Sequence, residues 1–163
     1  MSARALEAET VVYTDGSCRG NPGPGGWAWA VPGGRYASGA ESPTTNQRME
    51  IVAALRALEM LEGALFVMSD SAYVVNCFRD RWYEGWRRRG WRNAAGQPVA
   101  NRDLWEQLIA QVLDGGRSVR FAKVKGHSGD PMNDWVDQLA VEAATTQRGV
   151  EGEHSPGAHP SRP

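Results

Sequence analysis

The sequence predicts an α/β domain, because strand-like alternation opens the chain, an apolar stripe of helical period follows, and a continuous apolar run then marks an interior parallel strand. Residues 10–17, TVVYTDGS, alternate so that Val11, Tyr13 and Asp15 share one side, with Asp15 at the strand's exit. The stretch CRGNPGPGGWAWAV is dense in Gly and Pro, which forces a turn before a strand around Trp27 and Trp29. A PGG hairpin at 32–34 returns as the strand RYASGAE. Ile51, Ala54, Leu55, Leu58 and Leu61 then recur at three and four residues, predicting a helix from about Thr44 to Glu62 with Glu50 on the border of its stripe. Gly63 ends that helix. Leu65, Phe66, Val67 and Met68 deliver Ser69 and Asp70 to a carboxyl end, where open α/β sheets place their sites.

Helices are expected over 71–78, 81–89 and 102–113, the last stopped by Gly115 and Gly116. SVRFAKV reads as the final strand and KGHSG as a tight loop. Asp130 supplies a side-chain cap and Pro131 a first position for a closing helix whose stripe is Val136, Leu139, Ala140 and Ala143. From about Thr146 the chain is polar and rich in Gly and Pro without a period. The expected organisation is therefore a flexible N-terminus over 1–9, one folded domain over 10–145 and a disordered tail over 146–163.

At 163 residues, 41% apolar and 23% charged, the composition suits a single globular domain. No apolar stretch approaches the roughly 18 residues of a membrane span, and MSARALEAET lacks the character of a secretion signal, so a cytoplasmic location without membrane contact is expected. Cys18 and Cys77 are too few for a disulfide framework. The net charge of −1 conceals a basic segment: RDRWYEGWRRRGWR, residues 79–92, carries six Arg against Asp80 and Glu84, with three Trp interleaved. Such a patch presents positive charge to a phosphate backbone without reading bases. Trp82, Trp86 and Trp91, spaced by four and five, also fit a packed helical face.

Asp15, Glu50, Asp70 and an acid on the last helix come from different elements that a compact α/β domain can gather at one sheet edge. At about 4 Å and an effective dielectric near 20, one like-charge pair costs on the order of 4 kcal/mol. A gathered cluster thus requires protons or a divalent cation, and an all-oxygen donor set favours magnesium or manganese over zinc. The loop GNPGPGG lacks the Lys-Ser/Thr of a nucleotide cradle and joins strands, which excludes that use.

Five ordered blocks, YTDGSCRGNPGPGGWA, TTNQRMEIVAALRALE, SDSAYV, GWRNAAGQPVANRDLW and VKGHSGDPMNDWVDQLA, make the chain similar to bacterial type 1 ribonucleases H. The resemblance spans about Thr10 to Ala144 and implies a ribonuclease H-like fold, a mixed five-stranded sheet flanked by helices with a basic handle protrusion. It implies an endonuclease that hydrolyses the RNA strand of RNA/DNA hybrids with two Mg2+ ions, Mn2+ being an alternative; nothing in the sequence demands more than a monomer. Asp15, Glu50, Asp70 and Asp137 carry over as catalytic metal ligands, and His127 as a proton carrier. Asp137 is preferred to Asp134 because it directly precedes Gln138, Leu139 and Ala140, as the family's last acid precedes x-Leu-Ala. Gly16, Ser17, Cys18, Asn21, Asn46 and Gln47 fall along the minor groove, and Thr45 and Asn101 at a DNA phosphate. The handle, with Trp82, Trp86, Arg87, Arg88 and Arg89, holds the DNA strand. Ala72 and Cys77 depart from the pattern, at a polar groove contact and at a helix turn. A non-catalytic hybrid-binding module and a DNA-directed nuclease of the same fold remain the alternatives.

Overall fold

The computed structural model describes residues 8–124 and 129–156. Its elements, in chain order, are β1 (Thr10–Cys18), β2 (Gly23–Ala30), β3 (Tyr36–Thr44), α1 (Asn46–Met60), β4 (Leu65–Ser69), α2 (Ala72–Arg79), α3 (Trp82–Arg88), α4 (Arg102–Asp114), β5 (Val119–Lys123), α5 (Pro131–Thr146) and β6 (Glu151–Gly152). They form one mixed sheet of order β5-β4-β1-β2-β3-β6. β1 is its hinge of polarity, antiparallel to β2 with Tyr13 opposite Ala30, and parallel to β4 with Thr14 opposite Ser69.

Alternation along β1 sends Val12 into one core and Tyr13 into another. The first, larger core lies under α1, α2 and α4, where Met49, Ile51, Leu55, Leu58, Trp105 and Leu108 are buried against Trp29 and Val67. On the opposite face Met132, Val136 and Ala140 of α5 cover Ala28 and Ala30. Both helices begin on side-chain caps: Thr45 Oγ1 accepts from the Arg48 amide at 3.2 Å, and Asp130 Oδ1 from the Met132 and Asn133 amides at 2.9 and 3.2 Å. Pro131 occupies the first turn of α5, as expected. Among the described residues no helix is long and apolar enough to cross a membrane.

The sheet has six strands where five were expected, and the difference lies in the segment read as a disordered tail. Glu151 and Gly152 pair with Ala37 and Tyr36, and around them Ser38 N donates to Val150 O at 2.8 Å and Val150 N to Ser38 Oγ at 3.0 Å. Ser155 is buried, its amide bonded to Gly34 O at 3.0 Å and its hydroxyl to Val31 O at 2.6 Å. Backbone pairing with an open strand edge thus orders 149–155 without an apolar pattern of their own. Truncation after Gln147 is expected to lower stability by about 2 kcal/mol, given these four hydrogen bonds. That corresponds to a fall of roughly 4–8 °C in Tm. An unchanged Tm would show that the edge pairing contributes nothing.

Candidate active site

Three carboxylates meet where β4 ends beside β1, which runs on past Asp15 to Cys18 instead of ending there. Asp15 lies late in β1, Asp70 follows the last residue of β4, and Glu50 lies in the first turns of α1. Each offers an oxygen within 4.8 Å of the others. Glu50 reaches the cluster because Gly16 has no side chain: a Cβ there would overlap the Met49 carbonyl carbon and crowd the Glu50 amide. α1 therefore sits directly on β1 beside Asp15.

The cluster is buried as well as crowded, with Asp15 and Glu50 only 3% and 8% exposed. Gly16 N donates to Asp15 Oδ1 at 2.8 Å, whereas Asp15 Oδ2 and Glu50 Oε1 are buried with no hydrogen-bond partner among the described residues. Desolvation, followed by the charges of Glu50, Asp70 and Asp137, pushes the Asp15 carboxyl well above its ordinary value. Glu50 is raised by desolvation first and then by Asp70 and Asp137. Asp137, exposed on α5, thus brings its charge to bear on both buried acids. Asp134, one turn earlier, is exposed. Orphaned, desolvated carboxylate oxygens without a compensating cation among the described residues fit a hard divalent metal ion.

Beside this centre the β1–β2 loop touches the start of α1, where Asn46 N donates to Asn21 Oδ1 at 3.4 Å. Asn46 and Gln47 are exposed, and Ser17 and Cys18 half-buried. The Cys18 thiol is turned toward the carbonyls of Gly23 and Thr44, at 3.5 and 3.4 Å. Of the two departures from the resemblance, Ala72 is exposed at the start of α2, and Cys77 is fully buried with its thiol pushed up to about 12 by desolvation.

The basic segment is carried on α3 and the loop after it. Trp86 is buried and packs on Trp82, Trp91 and Trp105 with ring centroids 6.1, 6.1 and 5.5 Å away. Its part is therefore packing, while Trp82 is half-buried. Arg87, Arg88 and Arg89 stand exposed, and none of them forms an ion pair among the described residues. His127 lies outside the described residues.

One network escaped the sequence reading. Arg48 grips Asp103 with both nitrogens, at 3.0 and 2.8 Å, and donates to Asn101 Oδ1 at 3.4 Å. Asn101 Nδ2 and Trp105 Nε1 both donate to the Tyr73 hydroxyl oxygen, at 3.2 and 2.9 Å. A signal was available: a cation in the first turn of a helix opposes the macrodipole and calls for a partner.

With this geometry in place, comparison with known proteins assigns the family. The RNase H family model matches residues 7–145. A ribonuclease H of Syntrophomonas wolfei is 49% identical over 141 residues, covering 83% of this chain and 95% of that protein. Another, of Moorella thermoacetica, is 47% identical over 148 residues, covering 88% and 96%. Among solved structures, LC9-RNase H1, described as a type 1 RNase H with the type 2 active-site motif, matches with TM-score 0.70 and 30% identity over 95% of this chain and 79% of its own. The acid cluster at the sheet edge thus sits in a chain that belongs to the ribonuclease H family and is a nuclease, a hydrolase of phosphodiester bonds.

Proposed function

We propose that the enzyme is an endonuclease that hydrolyses the RNA strand of RNA/DNA hybrids, leaving 5′-phosphate and 3′-hydroxyl ends. The observation that carries this reading is the meeting of Asp15, Glu50 and Asp70, with two buried oxygens lacking any partner among the described residues. Together with Asp137 these residues would hold two Mg2+ ions, Mn2+ being an alternative, with Asp15 central among them. When bound, the ions would neutralise the cluster, acidify the attacking water and stabilise the departing 3′-oxygen. The chain's own share is positional. Gly16 lets α1 seat Glu50 against β1, and the sheet fixes Asp15 and Asp70 before substrate arrives.

By family resemblance, His127 carries a proton during water activation or product release. Exposed Arg87, Arg88 and Arg89 support a handle that holds the DNA strand through phosphates, so affinity should fall with salt. Gly16, Ser17, Cys18, Asn21, Asn46 and Gln47 would follow the minor groove, where 2′-hydroxyls distinguish RNA. Thr45 and Asn101 would grip a DNA phosphate. The enzyme is expected to act as a monomer in the cytoplasm.

The test is cleavage of an end-labelled hybrid beside duplex DNA of the same sequence, with Mg2+ and with EDTA. Cleavage of the RNA strand alone, dependent on the metal, is the expected result. Binding without cleavage would indicate a hybrid-binding module, and cutting of the duplex a DNA-directed nuclease.

A further inference from the structure

We infer that Arg48 and Tyr73 are positioning residues that orient Thr45 and Asn101 as a pair of hydrogen-bond donors toward one DNA-strand phosphate; this rests on the phosphate grip proposed above. A phosphate oxygen accepts only, so both residues must present hydrogen to it. An asparagine amide is almost symmetric in shape, and nothing in its own chemistry selects which end faces the ligand. Its surroundings select it here. Arg48 has donors and no acceptor, so the Asn101 end it meets at 3.4 Å must be the carbonyl oxygen.

The opposite end, Nδ2, therefore faces Tyr73, whose oxygen already receives the Trp105 indole N–H at 2.9 Å. One Asn101 N–H goes to the phenol and the second is left for a ligand. Asn101 also stands at the N-cap of α4 in a left-handed conformation, φ 61°, yet its side chain makes no capping bond. A residue type favoured for capping is spent on this network instead.

Arg48 acts on Thr45 through its main chain. Its amide donates to Thr45 Oγ1 at 3.2 Å, which occupies an acceptor site of the hydroxyl and leaves the hydroxyl proton for an anion. A single residue thus fixes both donors, by backbone on one side and guanidinium on the other. The bidentate hold on Asp103 keeps the guanidinium in place and screens a carboxylate that would otherwise repel the phosphate. Because Asp103 is 63% exposed in this ion pair, the pair contributes little to folding, and its loss should register on substrate.

The experiment measures steady-state cleavage by wild type, Arg48→Gln and Tyr73→Phe, with unfolding midpoints alongside. Substrates are a hybrid and a series carrying one neutral methylphosphonate at successive DNA-strand positions. In wild type one position should raise KM about tenfold. On the unmodified hybrid Arg48→Gln should raise KM by about five- to tenfold with kcat within about twofold. On the hybrid neutralised at that position it should cost less than about twofold, the non-additivity expected of groups acting on one contact. Equal losses on both hybrids, or an unchanged KM, overturn the inference. Should Arg48→Gln unfold the protein, the same comparison with Tyr73→Phe decides. Indifference of wild type to every methylphosphonate overturns the phosphate grip itself, and this inference with it, whereas normal wild-type sensitivity with additive Arg48 losses overturns the inference alone.

Discussion

Asp70→Asn is expected to lower hybrid cleavage by about a thousandfold or more, as removal of a proposed metal ligand should, and at the same time to raise the unfolding midpoint in EDTA. The two effects have one origin. Burial and mutual repulsion hold the Asp15 and Glu50 carboxyls above their ordinary values of 3.8 and 4.5. Between those values and the raised ones the folded chain keeps protons that the unfolded chain has released. Stability from this source is therefore fully present below about pH 4 and is lost as pH rises toward the folded values. Asp70 is one of the charges acting on both groups, so an amide there lowers their folded values and should raise the EDTA midpoint by a few degrees, most clearly at about pH 8 and above. Mg2+ should stabilise wild type more than the variant, because only a bound cation shifts the folding equilibrium. An EDTA midpoint that falls on substitution, or wild-type stability that climbs from pH 5 to 8 without metal, would contradict the clustering.

Gly16→Ala is expected to be the most damaging single methyl group in the site. The added carbon would meet backbone atoms of Met49 and Glu50, which cannot swing aside as a side-chain tip can. Overpacking of this kind costs about 3 kcal/mol, and the same site should lose roughly 6–12 °C in Tm. Lifting α1 from β1 also withdraws Glu50 from Asp15, so kcat should fall about tenfold or more even where the protein remains folded. Gly33 supplies the control for added bulk: it has φ +70°, but a methyl carbon there would meet nothing within 4 Å, so any loss is conformational and leaves the carboxylates undisturbed. Equal activity of Gly16→Ala and Gly33→Ala would show that the close approach of β1 and α1 has no bearing on catalysis.

The parts of this molecule that follow a periodic rule were readable from the chain. The stripe Ile51, Ala54, Leu55, Leu58 predicts α1, and all four side chains are buried. Val11 and Tyr13 share the α5 side of the sheet, as alternation requires, and LFVM is an interior parallel strand between β1 and β5. The acids Asp15 and Asp70 were visible because each ends such a run. Glu50 carried a weaker signal, since a border residue of an amphipathic stripe is ordinarily solvated, and the close approach of α1 to Gly16 accounts for its place beside Asp15.

Two features did not follow from the periodic pattern. β6 exists because an edge strand offers unpaired backbone groups, a tertiary fact that composition cannot register, and so the ordered residues 149–155 resembled a tail. The Arg48 network joins α1, α2 and α4 through single side chains far apart in sequence. Trp86 was ambiguous in the sequence between surface and core, and the rings of Trp82, Trp91 and Trp105 settle it toward the core.

The separate footing of the two charged regions has an evolutionary consequence. The acids stand on β1, the end of β4, α1 and α5, whereas Arg87–Arg89 stand on an indole platform shared with α4. Exchange of the surface arginines should therefore leave the acid cluster undisturbed, so that one charged region can vary while the other is kept.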